Sequence, residues 1–332
     1  MPMTPSGPSL TLMALLASVG LIGAAVDHWS TPVLGPPLER NGCGRAAVQT
    51  GPRSYPREAV DADGFRVRIP QPPRHIASQY WSIDEYLYAV VPPERVVAVS
   101  ESAYLKGISN VVELAAKFRP VVAPDPERVL RAHPDLVLVS SSSSSDFTSL
   151  IRTSGIPVFR MFIDFTTLEQ IEEYVRLVGY LTGEDDRAEA VVARFRAVVE
   201  RAKSLRPAGA RRPRVIGMGG GVGGHFTYGS GTLFDDVVKT VGAVNLASEA
   251  GLKGYDMINS EQLARWNPEW IVAAANEGQI EETRHKILAD PGVALTEAGR
   301  NGHVLVLENR VFLPMSPYST TRVTALAEAL WN

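Results

Sequence analysis

Short apolar runs alternate with longer amphipathic stretches along most of the chain, and the runs predict strands. Four of them lie in the first half, each followed by helix-compatible sequence: HIASQYW from His75, RVVAVS from Arg95, DLVLVS from Asp135 and PVFRMF from Pro157. A second set comprises RVIGMG from Arg214, WIVAAA from Trp270, HVLVL from His303 and the shorter FLPM from Phe312. Strands that alternate with helices predict α/β layers with largely parallel strands.

The segment between the two sets has the spacing of helices. Apolar residues recur at helical spacing from Leu168 to Leu181, and again from Ala188 to Leu205. A helix of about 20 residues is roughly 30 Å long, which is enough to cross between two lobes. We therefore predict two Rossmann-like lobes with mostly parallel sheets, residues 61–165 and 209–332, joined by a long rigid helix among linking helices at 166–208. One large doubly wound sheet is the alternative.

The N-terminal residues have most features of an export signal. Leu10 to Val26 is uncharged and apolar, with Gly23 and Ala25 at the spacing that a signal peptidase accepts. No Lys or Arg precedes this stretch, so cleavage of a signal peptide at residues 1–26 and an uncleaved membrane anchor both stay open. Residues 27–60 lack apolar periodicity and are predicted to form a proline-rich tether.

Composition excludes several classes of protein. The 332 residues carry 33 Lys and Arg against 36 Asp and Glu, a net charge of −3, so no general attraction to nucleic acid is expected. Cys43 is the only cysteine, which excludes disulfide scaffolds and zinc sites built from several thiolates, and we interpret it as an ordinary loop thiol. With 45% hydrophobic residues the chain can bury a sizeable core.

Several further segments occur in a characteristic order. They are Asp63–Pro70 followed by Pro73–Ile76, Glu85–Ala89, Pro126–Val137, Gly229–Thr232, Val241–Ala247 and Ser260–Val272. Together they resemble the helical-backbone class of substrate-binding proteins of ABC transporters, over about residues 60–331. The resemblance implies a ligand cleft between two lobes, no enzymatic activity, and a periplasmic or other extracytoplasmic location, where this class captures ferric siderophores, cobalamin and haem.

Candidate ligand-binding residues follow the predicted strands. Ligands of open parallel sheets bind beyond the carboxyl ends of the strands, and aromatic side chains there can stack on a flat or apolar ligand. The candidates are Tyr80, Trp81, Tyr104 and Phe162 in the first lobe, and His225, Tyr228, Tyr255, Met315 and Tyr318 in the second. For each aromatic residue, simple packing beneath the loops is an equal alternative.

The resemblance also implies a partner. In this class an acidic side chain on each lobe pairs with arginines of the membrane permease, and Asp146 and Glu281, or its neighbour Glu282, occupy the corresponding positions. Surface carboxylates at helix starts are an equally simple interpretation. The protein is expected to be a monomer that contacts the membrane itself only through an uncleaved N-terminal anchor.

Three motifs suggest other chemistries. Gly219, Gly221 and Gly224 fit G-x-G-x-x-G, but no helix-like sequence opens directly after them, as a dinucleotide site requires. The run Ser140 to Ser145 lacks the G-x-S-x-G context of a nucleophile, so we predict a mobile polar lip in which Ser144 or Ser145 caps the next helix. Hydroxyls that bind a polar ligand are the alternative. Among six histidines only His225 falls at a predicted strand end, which gives a bare-metal site little support.

These features together indicate a protein that binds a metal chelate and delivers it to an ABC importer. A ferric siderophore is expected first, cobalamin second and haem third, with no resident cofactor or metal. Lys106, Lys253 and Arg322 are the basic residues near predicted strand ends, and this scarcity disfavours a strongly anionic catecholate. A nucleotide-using enzyme, a bare-metal binder and a purely structural surface protein are the alternatives.

Overall fold

The computed structural model describes residues 51–123, 125–221 and 224–332. The predicted signal peptide or anchor, Cys43 and most of the predicted tether lie outside these residues. Within them, no helix is both long and apolar enough to cross a membrane. All of the described residues belong to a single compact unit.

The first element is an antiparallel hairpin of β1 (Arg57–Val60) and β2 (Arg66–Ile69). The Asp61 carboxylate shapes its turn by accepting hydrogen bonds from two backbone N–H groups at 2.9 and 3.0 Å, and Gly64 supplies a φ of 85°. β1 lies inside the segment 27–60 that the sequence predicts as a tether, because four residues give too short an apolar pattern to recognise. Regular structure therefore begins before the predicted lobe boundary.

The first lobe is built on a five-stranded parallel sheet. Its strands are β3 (Ile76–Ser78), β4 (Val96–Val99), β5 (Val121–Val122), β6 (Leu136–Ser140) and β7 (Val158–Met161), in the order β5-β4-β3-β6-β7. Its helices are α1 (Trp81–Val90), α2 (Val112–Phe118), α3 (Pro126–Arg131) and α4 (Ser145–Arg152), with 3₁₀ turns at Pro93–Arg95 and Glu101–Tyr104. The four predicted runs supply four of these strands, and all of β6 is buried, as expected where both faces of a sheet are covered.

Two antiparallel helices connect the lobes. α5 (Leu168–Thr182) and α6 (Asp185–Ser204) are joined by a short turn and pack along each other. α6 starts against the first lobe, where Asp185 pairs with Arg57 at 2.8 Å, and also packs on the last helix of the second lobe. Its 20 residues span about 30 Å, so α6 is the long connecting helix. The predicted apolar positions within it are buried, except that Val198 is exposed.

The second lobe contains two sheets. Its strands are β8 (Arg214–Gly217), β9 (Gly219–Gly221), β10 (Gly224–Tyr228), β11 (Val244–Asn245), β12 (Tyr255–Ile258), β13 (Trp270–Ala275) and β14 (Val304–Glu308). The parallel sheet has the order β11-β8-β13-β14, and the antiparallel sheet has the order β12-β10-β9. Its helices are α7 (Leu233–Thr240), α8 (Leu246–Glu249), α9 (Ser260–Trp266), α10 (Ile280–Leu288), α11 (Pro291–Ala294), α12 (Glu297–Asn301), α13 (Asn309–Phe312) and α14 (Thr320–Trp331), with a 3₁₀ turn at Pro317–Ser319.

Two segments of this lobe differ in structure from what their sequence patterns suggest. The run FLPM does not form the predicted strand, because Phe312 ends α13 and Pro314 interrupts any ladder. Gly219, Gly221 and Gly224 lie in the paired strands β9 and β10, and no helix opens at them. The glycine motif is therefore part of a sheet and lacks the helix N-terminus of a dinucleotide site.

One apolar core runs through both lobes. It includes Tyr86 of α1, Val178 of α5, Phe195 of α6 and Val323 of α14. Because these side chains pack into one continuous cluster, the lobes and the linking helices form a common close-packed interior.

Candidate ligand-binding cleft

Three aromatic rings project from the antiparallel sheet of the second lobe. Phe226 and Tyr228 lie two positions apart on β10, and Tyr255 is directly opposite Tyr228 on β12, so their side chains share one face. Phe226 stacks on Tyr255 with ring centroids 5.5 Å apart, and Tyr228 makes edge contacts with them at 5.5 and 5.8 Å. We call Phe226, Tyr228 and Tyr255 the tyrosine array. Tyr255 is 38% exposed, which gives the array an edge that faces solvent.

Two buried phenylalanines support the array from behind. Phe234 of α7 and Phe312 of α13 contact the Tyr228 ring at centroid distances of 5.2 and 5.4 Å. Sequence reasoning missed both, since Phe234 has the pattern of an ordinary core residue and Phe312 lies in the misassigned strand. Burial raises the pKa of Tyr228 well above its usual value and that of Tyr255 to about 12, so both hydroxyls are neutral at physiological pH.

The first lobe presents Tyr80 and Trp81 at the carboxyl end of β3. Both are half-buried, with ring centroids 6.1 Å apart. Burial raises the pKa of Tyr80 and of Tyr255, and the carboxylate of Asp164, just after β7, raises each further. Asp164 is therefore within electrostatic range of tyrosines of both lobes. We take the region between Tyr80, Asp164 and Tyr255 as the candidate cleft.

Tyr104 and Phe162 have different surroundings. The Tyr104 hydroxyl donates toward the backbone carbonyls of Ala115 and Pro120, each at 3.3 Å, so it is used within the first lobe. Phe162 is half-buried directly after β7, at the predicted sheet edge. The structure thus keeps Phe162 at the edge of the sheet but uses the hydroxyl of Tyr104 for hydrogen bonds within the first lobe.

His225 does not join the array. It alternates with Phe226 along β10 and therefore projects from the opposite face of the sheet, where its Nε2 lies 3.2 Å from the Asp290 carboxylate. Met257 follows Tyr255 by two positions on β12, so it shares the face of the array and is exposed, although the sequence did not single it out. Within the described part of the chain, no group of three or more His, Cys, Asp or Glu side chains could hold a metal ion.

Comparison with known protein families matches residues 76–311 to the model of the periplasmic binding proteins. The chain belongs to this family. Comparison with curated protein sequences finds no match.

Solved structures of periplasmic binding proteins share the fold. The periplasmic haem-binding protein RhuT from Roseiflexus sp. RS-1, in apo form, is 23% identical, with a TM-score of 0.65 over 78% of this chain and 98% of its own. The haem-binding protein HmuT is 22% identical, with a TM-score of 0.64 over 86% and 93%. A periplasmic binding protein from Veillonella parvula is 19% identical, with a TM-score of 0.68 over 81% and 95%. These likenesses establish the two-lobed fold.

In this periplasmic binding protein, one buried carboxyl connects the lobes beside the cleft. Glu85 of α1 accepts hydrogen bonds from the backbone N and Nδ2 of Asn110, at 3.0 and 2.8 Å, and from Ser316 Oγ at 2.5 Å. Ser316 lies between Met315 and the 3₁₀ turn that carries Tyr318, so both predicted residues sit at this junction, each half-buried. Burial raises the pKa of Glu85 to about 7 and that of Tyr318 to about 12.

The neighbouring carboxyl of Asp84 joins three elements of the first lobe. It accepts hydrogen bonds from Ser78 Oγ at the end of β3 and from Ser100 Oγ after β4, the latter at 2.5 Å. Burial raises the pKa of Asp84 to about 7. The start of α1, which carries Trp81, is thereby fixed to the carboxyl ends of two central strands.

The serine run is held in place by hydrogen bonds to its backbone. Arg160 Nη2 donates to the carbonyls of Ser141 and Ser143, at 2.5 and 2.8 Å. Ser144 Oγ accepts from Phe147 N at 3.2 Å and caps α4, as predicted. These contacts make the run a hydrogen-bonded turn and a helix cap, in place of the predicted mobile lip.

The two predicted permease-docking residues are exposed on helix starts of this periplasmic binding protein. Asp146 lies in the first turn of α4, and Glu281 lies in the first turn of α10. The alternative, Glu282, pairs with Lys286 at 2.6 Å. Of Glu281 and Glu282, Glu281 is therefore better placed to meet a partner.

Proposed function

We propose that this protein captures an iron chelate between its lobes and delivers it to the permease of an ABC importer. The arrangement of aromatic rings carries the proposal: the tyrosine array of the second lobe and the rings of Tyr80 and Trp81 of the first would line one cleft. This is supported by Asp164, whose charge acts on both Tyr80 and Tyr255. Such rings cover a large ligand area at a small cost in side-chain entropy. Family and similar structures are binding proteins, so we assign no catalytic role.

Haem is our first candidate for the ligand. RhuT and HmuT are described as haem-binding proteins, and BhuT, of similar fold, is described in complex with two haems. Flat rings suit a flat tetrapyrrole, and tyrosine is one of the side chains that bind haem iron in proteins. Tyr255, at the solvent edge of the array, is placed to approach such an iron. Sequence alone favoured a ferric siderophore, which becomes the second candidate, ahead of cobalamin.

Delivery requires export and a partner. We assign export to the apolar residues 10–26, and docking to Asp146 and Glu281, whose carboxylates would pair with arginines of the permease. Their positions on helix starts of different lobes would let one permease contact both lobes at once.

Ligand titration of the purified protein tests the proposal. Haemin, ferric siderophores of hydroxamate, carboxylate and catecholate type, and cobalamin would each be added while thermal unfolding and the visible spectrum are recorded. We expect saturable binding of haemin, with stabilisation of about 2.7 kcal/mol at a free concentration of a hundred times Kd. Saturation by a siderophore or cobalamin instead would keep chelate capture but change the ligand. No stabilisation by any of them would contradict the proposal.

A pair of tryptophan variants locates the bound chelate. Trp81→Leu removes a ring from the cleft and should weaken binding. Trp331→Leu removes a half-buried ring at the far end of α14, whose Nε1 donates to Val241 O at 2.9 Å, and should leave binding unchanged. Equal effects of the two variants would place the ligand elsewhere.

A further inference from the structure

Arg322, in the first turn of α14, is a buried cation with unused hydrogen-bond donors. It is 5% exposed, its Nη1 donates to Phe312 O at 2.5 Å, and its Cζ lies 5.6 Å from the centroid of the Phe312 ring. Its Nε and Nη2 are buried and have no hydrogen-bond partner among the described residues. Buried charged groups in proteins are normally paired, so these two unpartnered nitrogens require an explanation.

The charge of Arg322 is also uncompensated. Burial lowers the pKa of Arg322 to about 10, so it stays protonated at neutral pH, and the groups that act against this shift are the hydroxyls of Tyr228 and Tyr255. Among the described residues, no carboxylate opposes this lowering of the Arg322 pKa. A cation in the first turn of a helix also meets the positive end of the helix dipole. The unliganded protein therefore gains little from a charge at this position.

Arg322 lies on the buried side of the tyrosine array. Phe312 contacts both Arg322 and Tyr228, and Tyr228 contacts Tyr255, which is partly exposed. A series of ring contacts thus connects the guanidinium of Arg322 with the exposed edge of the array. A ligand group would reach Arg322 by displacing Tyr255, the most exposed ring of the array.

The geometry points to a subsite at Arg322 for a carboxylate of the captured chelate, which makes the cargo an anionic, carboxylate-bearing compound. This inference rests on the proposed function and narrows its ligand. The Nε and Nη2 groups share one edge of the guanidinium, and such an edge binds both oxygens of a carboxylate. Haem propionates and carboxylate siderophores both offer this group, whereas trihydroxamate siderophores do not.

Haemin and its dimethyl ester test the subsite on the unaltered protein. They differ only in the two carboxylates, so we expect the ester to bind at least tenfold more weakly. Ferric citrate and ferrioxamine B, which lacks a carboxylate, form the second pair, and preference for ferric citrate would identify a carboxylate siderophore in place of haem. Equal affinity for acid and ester, or tighter binding of ferrioxamine B than of the carboxylate chelates, would overturn the inference while chelate capture stands.

Two matched arginine variants show whether Arg322 is the group involved. Arg322→Met should abolish the preference for haemin over its ester. Arg206→Met removes a similar arginine near the other end of α14, whose Nη2 donates to Ala210 O at 2.6 Å and whose Cζ lies 5.9 Å from the Trp331 ring, and should keep the preference. An unchanged preference in Arg322→Met would overturn the inference.

A metal-free probe separates this inference from the proposed function. If no chelate binds the unaltered protein, the proposed function fails. The effect of metal-free citrate on the melting temperature then tests whether Arg322 forms a carboxylate subsite. A rise in melting temperature of the unaltered protein and of Arg206→Met, absent from Arg322→Met, would support a carboxylate subsite. No rise in the unaltered protein would overturn it.

Discussion

Glu85 and Ser316 join the two lobes through a buried hydrogen bond of 2.5 Å between Oε2 and Oγ. Asn110 extends the junction, since its Nδ2 donates both to Glu85 and, at 2.9 Å, to the carbonyl of Arg310 in the second lobe. Because burial raises the pKa of Glu85 to about 7, its protonation changes near neutral pH. We therefore expect the contact between the lobes to be sensitive to pH.

Replacing Glu85 with glutamine should remove part of the pH dependence of stability. The pKa of this carboxyl rises from the usual 4.5 to about 7 in the folded chain, so between these values the folded state binds the proton more tightly than the unfolded state. Its contribution to stability is complete below about pH 4.5 and is lost as the pH rises to 7. Glu85→Gln should therefore raise the free energy of unfolding above pH 7, by up to about 3 kcal/mol, and change little below pH 4.5.

Urea unfolding between pH 4 and 8.5 checks this prediction. Glu127→Gln is the control, since Glu127 is an exposed residue of α3 paired with Arg131 at 3.4 Å, and such pairs contribute little to stability. A Glu85→Gln protein that is less stable than the unaltered one at pH 8 would show that the ionised carboxyl stabilises the junction.

The central strands could be predicted from sequence because they are covered on both faces. Runs such as Leu136 to Ser140 are then apolar throughout, and this pattern is local. The linking helices could be predicted equally well, since α6 presents one apolar stripe to its neighbours. The family resemblance implied the two lobes and the cleft between them, and the fold agrees with it.

The side chains that line the cleft could be predicted less well from the sequence. β9, β10 and β12 are short and glycine-rich or polar, so nothing in the sequence showed which residues alternate there, and His225 was placed with Tyr228 although it projects from the opposite face. The supporting ring of Phe312 and the unpaired donors of Arg322 depend on contacts between distant segments. Side-chain direction and long-range packing, which decide a binding site, are set by pairing partners that a single sequence does not reveal.

Alanine at Gly179 should destabilise the helical connection. A Cβ at Gly179 would lie 2.4 Å from the Cβ of Ala188 in α6, so the two linking helices would have to separate. Alanine in a helix normally gains about 1 kcal/mol over glycine, yet we expect a net loss of roughly 1 to 3 kcal/mol because overpacking outweighs it. Thermal unfolding measures the difference.

Gly107→Ala is the matched control for this substitution. No heavy atom outside its immediate neighbours lies within 4 Å of a Cβ at Gly107, so the change should be nearly neutral. If Gly179→Ala were as stable as this control, α5 and α6 would have room to adjust and the connection would be less rigid than its packing indicates.

Removing single hydroxyls should distinguish the cleft from the interior of the first lobe. Tyr255→Phe should weaken haemin binding and alter its visible spectrum if this hydroxyl approaches the iron. Tyr104→Phe should leave binding unchanged but lower the free energy of unfolding by about 1 kcal/mol, because the Tyr104 hydroxyl bonds to backbone carbonyls. The reverse result would place the ligand against Tyr104, at the edge of the first lobe.

Charge reversal at the docking residues should separate delivery from capture. Asp146→Lys and Glu281→Lys change exposed carboxylates on different lobes, neither of them a member of the tyrosine array, so ligand affinity measured by titration should stay the same. Uptake of the chelate by cells that carry the variant in place of the unaltered protein should fall at least about tenfold, because a lysine would repel the arginines that we propose on the permease. Glu261→Lys, on the exposed start of α9, is the control and should support normal uptake. Normal uptake by both docking variants would place the permease contact on other residues, whereas a parallel loss of ligand affinity would assign the two carboxylates to the stability of the lobes.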